Sequence, residues 1–251
     1  QQVQNNTARQ QVNWTAAFGL ALSANGTKLL AQEYQDARLL CYMRSPTDLQ
    51  SHCDGCGQKC SIRHALGCKK GSLVISCHNK IQDKLSDLAS KALIPSAVCD
   101  EYRNNPITSV EAMQELDPNL PVKRNFHKNQ GKDRGDVLIR GLWARGTNCI
   151  IDVRVTDVDT VLNRSKDPHK VLNTHEQEKK KKYLEACLKQ CQHFTPFVVS
   201  TDGLLGKEAK TLLKKLSSAL AEKWEKLYSE VCGYVNTCMS IAIVQATHLC
   251  S

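Results

Sequence analysis

The chain has 251 residues, enough to bury a hydrophobic core in one or two domains, and carries 34 Lys and Arg against 25 Asp and Glu, a formal net charge of +9. That surplus favours polyanionic partners, nucleic acid foremost, and no apolar run reaches the roughly 20 residues needed to cross a bilayer as a helix. Thirteen cysteines and the triplets Asn5-Asn6-Thr7, Asn13-Trp14-Thr15, Asn25-Gly26-Thr27 and Asn163-Arg164-Ser165 raise an extracellular, disulfide-stapled alternative. The odd count argues against it, as do cysteines set inside helical or strand patterns at Cys149, Cys187, Cys191 and Cys238.

In chain order, residues 1–50 start polar and then show helical spacing through Leu29, Leu30, Tyr34, Ala37 and Leu40. The chain opens on Gln1 with no initiating Met and no signal peptide, so it reads as part of a longer polypeptide. A Cys/His cluster occupies 51–77. An amphipathic helix from His78 to Leu93 carries the stripe Ile81, Leu85, Leu88, Ala89 and Ala92 and ends at Pro95. Ser96 to Cys99 is a short strand, and 103–135 is a long mobile loop without periodicity. Strands follow at 136–140 and 149–155, then a Lys-rich helix from about 170 to 190 and a strand over 193–200. From Lys207 onward one long stripe runs through Leu212, Leu213, Leu216, Leu220, Trp224, Leu227 and Val231, before a last apolar helix with Met239, Ile241 and Ile243. Helix, three strands, helix, strand and helix predict an α/β fold, a small mixed sheet flanked by helices.

Two constellations carry chemistry. Cys53, Cys56, His64 and Cys68 form a C-x2-C-x7-H-x3-C arrangement, the soft ligands and close pairing that a tetrahedral structural zinc requires, with Gly55 and Gly57 suited to the turn and Cys60 as a reserve ligand. Asp152 interrupts an apolar strand and Asp136 begins another; paired as a hairpin, the two carboxylates meet at a sheet end and offer the hard oxygen ligands of Mg2+ or Mn2+, which activates water for attack on a phosphodiester. An ion pair of Asp152 with Arg154, two residues on along the same face, is the plain alternative. By itself the run Lys179 to Lys182 is more often a solvated helix face than a catalytic element. His169, His175 and His193 have no assigned ligand role. Tyr34-Gln35-Asp36-Ala37 lacks the second aspartate of a polymerase turn, and no phosphate-binding Gly-rich loop or G-x-S-x-G elbow is present.

The Cys/His cluster, His78-Asn79-Lys80-Ile81, Gly135-Asp136-Val137, Ile151-Asp152-Val153-Arg154-Val155 and the helix ending Lys182-Tyr183 resemble, in this order, the C-terminal region of non-LTR (LINE-like) retrotransposon polyproteins. There a CCHC zinc knuckle precedes a restriction-enzyme-like endonuclease of the PD-(D/E)xK type. The resemblance covers about 50 to 251. It implies a reverse transcriptase tail over 1–50, a knuckle over 51–77, an endonuclease core over 78–204 and C-terminal helices over 205–251. It implies Asp136 and Asp152 as metal-binding carboxylates, with the catalytic lysine moved from the position of Arg154 to Lys180, three residues before Tyr183. Zn2+ is then structural and Mg2+ or Mn2+ catalytic. The partners implied are DNA, possibly RNA, and the reverse transcriptase domain of the same polyprotein, in an intracellular, nuclear setting without a membrane. The implied activity is nicking of target DNA to prime reverse transcription. Gly135 in place of proline, Cys77 in place of a basic residue and a shortened His-to-Cys spacing depart from the pattern. The resemblance leads one to expect arginine at Cys77, Cys191, Cys238 and Gln245, and loss of CpG-containing Arg codons by deamination would account for these four, as in a decayed copy. A zinc-dependent nucleic-acid-binding module without catalysis and a purely structural interaction protein are the alternatives.

Overall fold

A computed structural model describes residues 30–41, 51–53, 55–61, 64, 68, 70, 73–94, 97–99, 135–158, 160, 163 and 165–248. The loop read at 103–135, apart from Gly135, and most of the segment 1–50 lie outside the described residues. The elements are α1 (Ala31–Cys41), α2 (Leu73–Ala92), β1 (Val98–Cys99), β2 (Val137–Arg140), β3 (Asn148–Thr156), α3 (Pro168–Lys189), β4 (His193–Ser200), α4 (Lys207–Trp224) and α5 (Tyr228–His248). The fold is mixed α/β, as the periodicities predict.

The sheet order is β1-β2-β3-β4. β1, β2 and β3 are antiparallel neighbours, and β4 runs parallel to β3. A parallel pair needs a long crossover, and α3 supplies it. Asp167 starts α3 by accepting from the N–H groups of His169 (2.8 Å) and Lys170 (3.2 Å), ahead of Pro168 in the first turn. Pro196 is tolerated in β4 because that strand lies at the sheet edge.

Alternation along the strands divides the core into two layers. Val137, Ile139, Cys149, Ile151, Val153, Phe197 and Val199 face α2, α4 and α5, where Ile81, Leu85, Leu88, Leu212, Leu216, Val235 and Met239 complete the main cluster. Ile150 and Phe194 on the other face meet Cys187, Tyr183 and Leu184 of α3, and Val198 meets Val171 and Leu172. Covered on both faces, β3 and β4 are buried nearly throughout. The helices read as a C-terminal segment share the core of the sheet.

Strand and helix ends shift by one or two residues from the sequence reading, and two boundaries differ by more. α2 begins five residues before His78, inside the segment assigned to the Cys/His cluster. The long stripe from Leu212 to Val231 is broken into α4 and α5. Glu225 adopts the left-handed conformation (φ 54°, ψ 38°) and returns its N–H to Ala221 and Glu222 carbonyls, which leaves Leu227 exposed. No glycine or proline marks this turn, so apolar spacing alone runs through it. Lys223 donates to the carbonyls of Lys91 (2.8 Å) and Leu93 (2.6 Å), tying the end of α4 to the end of α2.

Candidate functional site

Residues 51–53 and 55–60 fold back on one another: Cys53 N–H donates to Gln58 O (2.9 Å), Gly57 N–H to Cys53 O (2.7 Å) and Cys60 N–H to Ser51 O (2.9 Å). Gly57 has a φ of 71°, the conformation glycine adopts at no steric cost. This turn places Cys53 and Cys56 beside His64 and Cys68, with all four ligand atoms within 4.8 Å of one another. Cys53 Sγ lies 3.7 Å from Cys68 Sγ, and Cys56 Sγ lies 3.1 Å from His64 Nε2. A tetrahedron of bonds near 2.3 Å has edges of about 3.8 Å, so the set fits a zinc ion. All four groups are compatible with that role, since the three cysteines are free thiols. The reserve ligand Cys60 is not in this group. Hydrogen bonding with His64, and then with the N–H groups of Cys56 and Gly55, holds the Cys53 thiol below its ordinary range, toward the thiolate a metal needs.

The carboxylates gather where β2 begins. Val137 stands opposite Ile151, and one residue further Asp136 donates its N–H to Ile151 O (2.8 Å). Asp136 Oδ2 accepts from Val153 N–H (2.6 Å) and meets His78 Nε2 (3.1 Å), while its carbonyl accepts from Gln82 Nε2 (2.7 Å). His78 and Gln82 lie four apart on α2 and so share one helical face. Burial is the largest influence on His78 and disfavours its charge, but the bond to Asp136 and the charges of Asp136 and Asp152 prevail and raise its pKa. Asp152, 5% exposed, forms an ion pair with Lys179 of α3. Burial raises its pKa, Lys179 opposes that, and the negative charge of Asp136 adds to it, so the two carboxylates sense each other. Near the start of β2 the four side chains thus form two pairs, His78 with Asp136 and Lys179 with Asp152, and among the described residues the one group of three or more side chains placed to hold a metal ion is the Cys/His set.

The lysine expected at this centre is displaced by one residue. Lys180 bonds Glu208 at the start of α4 (2.6 Å), and Lys179 is the one that reaches Asp152. The register of α3 decides this, because Glu176, one turn before Lys180, is buried against the N-terminus of α4 and accepts from Glu208 N–H (2.9 Å). Tyr183 packs against Phe194 with ring centres 5.4 Å apart and accepts from Lys182 Nζ (2.7 Å); Lys179 Nζ lies 5.8 Å from its ring centre. Arg154 does not pair with Asp152; it bonds Glu178 of α3 at 2.8 Å. The glycine before Asp136 also has a packing cause, since a Cβ at Gly135 would run into Ile150.

His78, Gln82 and Lys179 were not among the residues assigned from sequence. For the first two a signal existed, a polar i, i+4 pair beside the apolar stripe of α2. The chain matches no family model, no curated protein and no solved structure.

Proposed function

We propose that this chain is a zinc knuckle followed by a restriction-enzyme-like nuclease domain of a non-LTR retrotransposon polyprotein, and that it nicks DNA at the centre of Asp136, Asp152 and Lys179. The observation that supports this best is the position of Asp136, held by Val153 N–H next to Asp152 at the start of β2, with Lys179 paired to Asp152, in a helix-strand-strand-strand-helix-strand order.

In this reading Asp136 and Asp152 hold a divalent ion, which supplies Lewis-acid stabilisation of the phosphate and a more acidic bound water. His78 and Gln82 fix Asp136 from α2, through its carboxylate and its carbonyl. Lys179 stands ready to leave Asp152 for the charge that develops on the phosphate oxygens. Cys53, Cys56, His64 and Cys68 hold zinc and present the basic knuckle to nucleic acid. DNA is the substrate, and the protein acts in the nucleus beside the reverse transcriptase domain of its own polyprotein.

The test is conversion of supercoiled plasmid to nicked circle with Mg2+ or Mn2+ by the zinc-loaded chain. Asp152→Ala should lower the rate by about a thousandfold, the several kcal/mol that metal-centred charge stabilisation contributes. A folded, zinc-loaded chain that binds DNA but nicks with neither ion overturns the enzymatic reading. One observation favours that second outcome, a non-catalytic nucleic-acid-binding module: the chain's own side chains already meet both carboxylates, His78 on Asp136 and Lys179 on Asp152.

A further inference from the structure

We propose that the cleft beside the α4–α5 turn binds one unpaired nucleotide of a single-stranded nucleic acid. The cleft has a volume of about 480 Å³ and is lined by Lys91, Trp224, Lys226, Glu230, Val231 and Tyr234. That volume falls within the roughly 300–1,000 Å³ of small-ligand sites. The Trp224 and Tyr234 rings meet edge to face, with centres 5.4 Å apart. Trp224 keeps 37% of its surface exposed, and Leu227 and Tyr228 beside it are more exposed still. Three exposed apolar side chains thus lie within five residues at the rim of the cleft.

The lining chooses the occupant. Aromatic rings stack any base, the exposed Lys226 ammonium attracts phosphate, Lys91 is shared with Asp87 (2.9 Å), and the Glu230 carboxylate accepts from the amino or imino N–H of a base. An apolar helix from a partner would not need two lysines and a glutamate around the rings, and a net charge of +9 favours a polyanion. Duplex bases are stacked on one another and cannot enter; an unpaired base can. Lys91 lies thirteen residues along α2 from His78, about 20 Å at the helical rise, so this cleft is separate from the carboxylate centre. The proposal goes beyond the nuclease reading, and binding here needs neither Mg2+ nor Mn2+.

The test is tryptophan fluorescence and anisotropy of the full chain with a twelve-residue oligothymidylate, and with a duplex of equal length, in the absence of Mg2+ and Mn2+. The strand should quench the wild type saturably. Trp224→Phe should keep most of the affinity and lose most of the quench, although Trp14 and Trp143 remain. Trp224→Ala should weaken single-strand binding about 5- to 150-fold, the range for loss of one base–aromatic stack, and leave the duplex little changed. Lys226→Glu, at an exposed position, should also weaken it and reduce its salt dependence. Should Trp224→Ala fail to fold, Trp224→Phe and Lys226→Glu decide. Absence of binding by the wild type, wild-type affinity in both Trp224→Ala and Lys226→Glu, or equal losses for duplex and single strand would overturn the proposal. Wild-type affinity in both variants would leave the cleft as a face for another protein chain, and equal losses would make it a phosphate contact that does not select unpaired bases.

Discussion

Lys179 and Lys180 are neighbours in sequence with separate tasks, because a helix turns 100° between them and only one can face Asp152. Lys179→Ala should therefore remove plasmid nicking, while Lys180→Ala leaves it within a few-fold and costs about 1 kcal/mol or less in stability through the pair with Glu208. A reversed ranking in the nicking assay would put the function back on Lys180. Glu176 illustrates the same economy at a buried site. Burial raises its pKa above the usual 4.5, against the hydrogen bond from Glu208 N–H. A carboxyl raised on folding contributes stability in full below its unfolded pKa and loses it as pH rises through the folded value. Glu176→Gln should thus stabilise the protein at pH 7 relative to pH 4, compared with the wild type, while Gln Oε1 still accepts from Glu208. Thermal unfolding at the two pH values checks this, and an unchanged difference between them would refute it.

Among the elements, the 51–60 turn has a few backbone hydrogen bonds and little core of its own, so a metal would dominate its order. The purified chain should carry about one equivalent of zinc. Cys56→Ser should lose it, Cys60→Ser should keep it, and a chelator should broaden the NMR signals of this segment while those of the sheet persist. Retention of zinc by Cys56→Ser would mean that another ligand set holds it. α2 ties the two ends of the molecule together: His78 and Gln82 hold Asp136 near its start, and Lys223 holds its last carbonyls. Its middle is buried in the main core, so it serves as a stiff ruler between the carboxylate centre and the α4–α5 cleft.

For the whole molecule, the net charge overstates what the Lys179 to Lys182 run contributes to nucleic-acid binding. Lys179 and Lys180 are held by Asp152 and Glu208, whereas Lys181 and Lys182 are exposed, and Lys182 donates to the neutral Tyr183 hydroxyl (2.7 Å). Each phosphate contact contributes about 0.9 to the slope of log K against log salt on duplex DNA. Replacing Lys181 and Lys182 by Ala should lower that slope by about 1–2, and replacing all four should lower it little further. A slope that stays unchanged would make the run a solvated face only, and binding would then rest on the knuckle and the rest of the surface.

Local pattern was enough for the class of the fold and for the metal cluster. Period-2 and period-3.6 spacing name the strands and helices wherever one face is buried, and the Cys53, Cys56, His64 and Cys68 ligands lie within sixteen residues, close enough for a turn to gather them. Spacing also placed Asp152 on a strand and Asp136 at the start of its neighbour, where the structure has it one residue before β2. What local pattern lacks is the rotation of one element against another. The lysine that meets Asp152, the pairing of Arg154 with Glu178 and the support of Asp136 from α2 all depend on how α2 and α3 settle on the sheet, and packing contacts far apart in sequence set that. The break at Glu225 has the same origin. A residue without glycine's freedom takes a left-handed turn there because α5 must fold back onto the core shared by α2, α4 and the sheet, and burying that face outweighs the local strain.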